Sequence, residues 1–173
     1  MSLAIVGNFR DITERHQAEE ERKQLLAQLA IEHARLEEVL RQMPAGVIIA
    51  EAPSGKIIMG NRQVEEIWRH SVLPSSNIEE YGEWTGFHPD GSIVKPEEWP
   101  LARAIKGEVV QGEEIEYLRG DGTRGFMRIS AAPIRDRSGK IVAGVVTFDD
   151  FTDYKELEKR KDDFISMASH ELK

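Results

Sequence analysis

The stretch EEIEYLRGDGTRGFMRISAAPIRDRSGKIVAGVVTF, residues 113–148, decides the fold. It holds three β-type runs, EEIEYLR, RGFMRISAAPI and KIVAGVVTF, joined by Gly120-Asp121-Gly122 and by the turn from Asp136 to Gly139. Both connections are short and of turn composition, so consecutive runs pair antiparallel as hairpins. Towards the N-terminus, EEWPLARAIKG (97–107) has helical composition, and YGEWTGFHPDG (81–91) is an irregular stretch rich in Gly and aromatics. Before that, Asn61 is placed to cap an apolar-periodic helix, RQVEEIW, and the runs GVIIAE and KIIMG flank Ala-Pro-Ser-Gly as a further hairpin. Two strands, then helices, then three strands predict an α+β domain. Its single five-stranded antiparallel sheet carries the helices on one face.

The segments flanking this domain are of another kind. Asp150-Phe151-Thr152 ends the last β-type run, and a threonine oxygen is expected to cap the helix that follows. VGNFRDITER (6–15) resembles VVTFDDFTDY (145–154), with Val6, Phe9, Asp11 and Thr13 falling on Val145, Phe148, Asp150 and Thr152. Residues 1–12 are therefore expected to be the last strand of a preceding unit of the same kind, with Met-Ser-Leu at 1–3 as a tag scar. From Thr13 to Met43 there is no Gly or Pro, and Ala18, Leu25, Leu29, Leu36, Val39 and Met43 form a three-four seam broken by Arg22 and Glu32. Such a helix packs on its own domain or on a partner helix; its length and thin apolar stripe favour a parallel coiled-coil homodimer. Pro44 ends it. The expected division is thus 1–12, a coil at 13–43, a globular domain at 44–152 and a second helix at 153–173.

Composition excludes several function classes. The 173 residues carry a formal net charge of −8, which repels a phosphate backbone or an anionic membrane surface, so no nucleic-acid partner and no membrane contact is expected. The longest apolar run, AGVIIA, is strand-sized, far below the roughly 20 residues of a membrane span. There is no cysteine, which removes disulfides, thiolate metal sites and cysteinyl adducts, and favours a reducing compartment, the cytoplasm.

On the final helix, Leu157, Phe164, Ile165, Ala168 and Leu172 lie on one stripe, and His170 sits about 200° from Ala168, facing solvent. Imidazole has an ordinary pKa of about 6.5, so a useful share is neutral at physiological pH and nucleophilic through one nitrogen. A nearby carboxylate can take or orient the proton on the other.

The order of strands and helices, the Asn after the second strand, the Asp-Gly turn and the terminal Asp-x-Thr leading into a helix resemble a PAS domain over about residues 44–152. The closing FISMASHELK (164–173) resembles the phosphoacceptor box of sensor histidine kinases, matching at Phe164, Ser169, His170, Glu171, Leu172 and Lys173. In that family a Thr or Asn and then Pro follow, so the box is expected to continue past Lys173. The resemblance implies that His170 is phosphorylated from ATP with Mg²⁺ by a separate catalytic domain, with Glu171 as proton acceptor, and that the phosphoryl group passes to an aspartate on a response-regulator receiver domain. No G-x-x-x-x-G-K-[ST] stretch is present, so the chain by itself is expected to accept phosphate and not to make it.

The stimulus is less legible. A flavin photoadduct needs a cysteine. Haem needs an axial ligand, and the domain offers only His70 and His88, neither on the 97–107 helix where haem-binding relatives place theirs. Trp84, Phe87, Trp99 and Phe126 are candidates to line a small-molecule pocket, while Trp99, Leu101, Ile105, Phe126 and Ile129 also suit a plain core. His88 suits a turn and His33 a solvated helix face. The competing function is a ligand-binding or protein-interaction module in which the final helix serves only as a dimer strut.

Overall fold

A computed structural model describes residues 2–172, with side chains from residue 9 onward. Met1 of the tag-scar expectation and Lys173 of the terminal motif lie outside the described residues. The chain divides into two units, residues 1–42 and 43–173.

The first unit is one helix, α1 (Ser2–Gln42). The strand expected at 1–12 is a correction: Ser2 onward is helical. A strand needs a neighbour for its backbone groups, whereas a helix satisfies them internally. Thr13, expected to start a helix, instead donates its hydroxyl to Phe9 O at 2.7 Å, as a mid-helix threonine does. Leu25, Leu29, Leu36 and Val39 of the heptad seam are exposed.

In the second unit, β1 (Gly46–Glu51) and β2 (Ile57–Gly60) form the first hairpin. Helix α2 (Arg62–Trp68) follows, then a 3-10 turn (Ile78–Glu83) and the short β3 (Gly86–Phe87). A second 3-10 turn (Pro96–Glu98) leads into α3 (Pro100–Ile105). Strands β4 (Val110–Leu118), β5 (Arg124–Arg135) and β6 (Ile141–Asp150) complete the sheet, and α4 (Thr152–Glu171) leaves it. The antiparallel order is β2-β1-β6-β5-β4-β3. The sheet has six strands where the sequence predicts five, because Gly86 and Phe87 pair with Tyr117 and Glu116. A two-residue strand leaves no alternation to read.

Period-two alternation sets the faces. Met127, Ile129 and Ala131 of β5 point into the core with Ile115 and Tyr117 of β4 and Val146 and Phe148 of β6. Trp99, Leu101 and Ile105 cover that face, as expected. Phe126 does not: it is one residue out of phase with Met127 and sits on the opposite face, 6.3 Å from the Phe151 ring. The helix expected over 97–107 is split at Trp99, where Pro100 starts α3.

Two polar residues expected as helix caps do other work. Asn61 stands at the N-cap of α2, but its buried side chain accepts from Val47 N and donates to Ala45 O, both at 2.9 Å, pinning the start of β1. Thr152 is the first residue of α4 and not its cap. Its amide is taken by Asp150 Oδ1 at 2.8 Å, and its hydroxyl oxygen accepts from Phe126 N at 2.9 Å.

Candidate functional site

Three places in the second unit carry more chemistry than packing requires. The first lies between sheet and helices, where Trp68, Trp84 and Trp99 converge. Trp68 meets Trp84 edge-on at 4.8 Å, Tyr117 at 4.9 Å and Trp99 at 6.1 Å. They border a cavity of about 40 Å³, measured as space open to the centre of a water molecule, with Tyr81, Met127 and Phe148 among its other walls. All three indole N–H groups are buried without a hydrogen-bond acceptor among the described residues. An unpaired buried donor costs about 1–3 kcal/mol, a cost that the packing of the three rings has to offset. Gly86 permits the arrangement: a Cβ there would stand 2.7 Å from the Trp99 ring.

Of the four pocket candidates expected from the sequence, Trp84 and Trp99 border this cavity, and Phe87 and Phe126 do not. Phe87 sits half-buried under the Arg124 guanidinium at 4.1 Å, and Phe126 lies across the sheet with Lys155 Nζ 6.0 Å from its ring. Trp68 borders the cavity as well; it ends the apolar-periodic RQVEEIW helix beside Val64 and Ile67, and that pattern was its signal in the sequence. His70 and His88 do not border the cavity. His70 packs against Trp84 at 5.3 Å, and His88 Nε2 lies 2.8 Å from Glu98 Oε2 in the turn it was expected to make. His33 is exposed beside Glu37. No group of acidic and histidine side chains suited to a metal occurs among the described residues.

The second place is the junction where β6 becomes α4. Arg119, 8 % exposed, reaches Asp150 Oδ2 through Nη2 at 2.6 Å, Thr152 Oγ1 at 3.0 Å and the Tyr117 hydroxyl through Nε at 3.2 Å. The Tyr117 hydroxyl lies 2.6 Å from Asp150 Oδ2 and 3.1 Å from Ile67 O. Gly125 makes room, since a Cβ there would run into Arg119 Nη2 and stand 2.9 Å from Thr152 Oγ1. Burial pushes the Asp150 carboxyl up, but hydrogen bonds from Thr152, Tyr117 and Arg119 outweigh it and hold the group below the usual carboxylate range. Burial, and then the Asp150 carboxylate, push the Tyr117 hydroxyl far above the usual phenol range, so it stays protonated. An arginine before the Asp-Gly turn and a tyrosine in inward register were the available signals. Neither reveals that they meet.

The third place is α4 itself. No residue beyond its start is buried; Leu157, Phe164, Ile165 and Leu172 are exposed, and so are His170 and Glu171. His170 is exposed, as are the apolar positions of the same helix. Neighbours in a helix project about 100° apart, and no hydrogen bond or ion pair joins His170 to Glu171 among the described residues.

No helix among the described residues is long and apolar enough to cross a membrane. No curated protein sequence matches the chain. Among solved structures, an RNA-binding Light-Oxygen-Voltage receptor is similar at 18 % identity and a TM-score of 0.59, over 83 % of this chain and 39 % of that one. The chain thus spans well under half of that receptor. The PAS domain of an HTR-like protein from Haloarcula marismortui is similar at 17 % identity and a TM-score of 0.52, over 75 % of this chain and 99 % of that one. The LOV domain of the blue-light activated histidine kinase EL346 from Erythrobacter litoralis is 25 % identical over 64 % of this chain and 99 % of that one, at a TM-score of 0.47. A family model described as the PAS fold matches residues 40–156. With its antiparallel sheet, one covered face and a helix leaving the last strand at an Asp-x-Thr junction, the chain belongs to the PAS family.

Proposed function

We propose that this PAS chain is the sensory and relay segment of a two-component sensor histidine kinase, with His170 as phosphoacceptor. The observation that carries this is positional. Phe164 to Glu171 of FISMASHELK lie on α4, which starts two residues after β6 ends and carries His170 exposed near its end. A change in the PAS domain then has one continuous rigid element through which to reach the histidine.

In this account a neutral His170 ring nitrogen attacks the γ-phosphorus of ATP, the phosphorus–oxygen bond to ADP breaks, and the proton on the other ring nitrogen passes to Glu171. ATP and Mg²⁺ are held by a catalytic domain distinct from this chain, and a receiver-domain aspartate on a response regulator takes the phosphoryl group. The exposed seams of α1 and α4 pair in a homodimer, and a cysteine-free chain of net charge −8 suits a cytoplasmic setting without nucleic acid. The reading is tested by supplying a sensor-kinase catalytic domain and ATP in trans: Glu171→Gln is expected to slow phosphorylation by about 10²-fold or more. An unchanged rate removes Glu171 from the chemistry.

One observation favours the second reading, a ligand-binding module: an apolar cavity bordered by Trp68, Trp84 and Trp99. The ligand that fits is small and apolar. A thermal-shift screen of small uncharged apolar molecules checks this, with Ile129→Phe, which fills the cavity, expected to weaken any hit.

A further inference from the structure

We propose that Tyr117 is a positioning residue whose single hydroxyl proton is shared between the cavity wall and the root of α4, and that its choice of acceptor passes the state of the cavity to the output helix. This rests on the reading of α4 as output, and concerns how that output is set.

Two acceptors compete for one donor. The hydroxyl lies 2.6 Å from Asp150 Oδ2 and 3.1 Å from the carbonyl of Ile67, while Arg119 Nε donates to its oxygen. A phenol donates one hydrogen bond at a time. In the geometry described, the shorter contact gives the proton to Asp150.

Ile67 belongs to the last turn of α2, where carbonyls lack helical partners. That turn is held from outside by Gly120 N, which donates to Trp68 O at 2.8 Å, and Ile67 O stands 3.1 Å from the Tyr117 hydroxyl without its proton. Trp68, the next residue, is a wall of the cavity and packs edge-on against the Tyr117 ring. Anything that moves Trp68 therefore moves Ile67 O relative to the hydroxyl. If the carbonyl captures the proton, Asp150 Oδ2 keeps Arg119 and loses its tyrosine donor. Asp150 also holds the first amide of α4 through Oδ1, so the helix root loosens.

The test reads amide hydrogen exchange by NMR at Thr152, whose N–H is bonded to Asp150. Xenon under pressure enters apolar cavities and perturbs the wall without a mutation. Trp84→Phe is a second perturbation, touching Trp68 but not the junction. In the native chain at least one of the two is expected to change Thr152 exchange by about threefold or more. In Tyr117→Phe, which keeps the ring against Trp68, the response is expected to vanish at Thr152 and persist at Gly120. An equal response in both proteins, or no response at Thr152 in the native chain to either perturbation, overturns the proposal. Should Tyr117→Phe not fold, 3-fluorotyrosine at position 117, a stronger donor, is expected to raise Thr152 protection, and lowered or unchanged protection counts against it. Phosphorylation of His170 is not read, so this proposal and the assignment of that residue fail separately.

Discussion

Asp150 concentrates the chemistry of the junction in one carboxylate. It accepts from Thr152, Tyr117 and Arg119, and those bonds depress its pKa despite burial. A carboxyl depressed in the folded state contributes stability above its unfolded pKa of about 3.9 and loses that contribution as pH falls through the folded value. Asp150→Asn is therefore expected to destabilise the domain at pH 7, by less than the roughly 2 kcal/mol of a fully buried charged hydrogen bond because solvent screens this partly exposed carboxylate, and the gap between the two proteins should narrow as pH drops below about 4. Urea melts at both pH values check this; a gap that is constant with pH would mean the charge is not what matters. At this scale the sequence was half legible. Asp-x-Thr marked the strand end and the helix start, but the capping role given to Thr152 went to Asp150, because the threonine oxygen is drawn across to Phe126 N. Tyr117 and Arg119 went unread, since their partners lie more than 30 residues away in sequence.

Among elements, hairpins were the most legible, because turn residues and alternation report directly on local backbone. β1 was expected at its observed bounds, and β5 and β6 within one or two residues. Failures came where an element's nature depends on a distant neighbour. β3 exists through its pairing with β4. The stretch expected as a strand at 1–12 is helical from Ser2 onward. Phe126 was assigned inward on hydrophobicity, although its phase against Met127 and Ile129 sends it out. The close approach of β3 to Trp99 gives a sharp expectation. Gly86→Ala puts a methyl group against the indole and should destabilise the domain by about 1–3 kcal/mol, with red-shifted tryptophan emission. Unchanged stability and emission would mean Trp99 is free to move.

For the whole molecule, α1 forms a unit of its own beside the PAS unit in sequence, and its apolar seam has no cover within that unit. If that seam pairs two chains, Leu25→Asp with Leu29→Asp should convert a dimer to a monomer in sedimentation at concentrations on the order of 10⁻⁵ M, while the thermal transition of the PAS unit stays in place. A native chain that is already monomeric there removes the coil from the account. The central claim is narrower and can be measured directly. The chain holds five histidines, at positions 16, 33, 70, 88 and 170. After incubation with ATP and a sensor-kinase catalytic domain, site-resolved mass spectrometry should find acid-labile phosphate on His170 alone, and His170→Gln should abolish it. Phosphate on another histidine, or label that survives His170→Gln, would contradict the account.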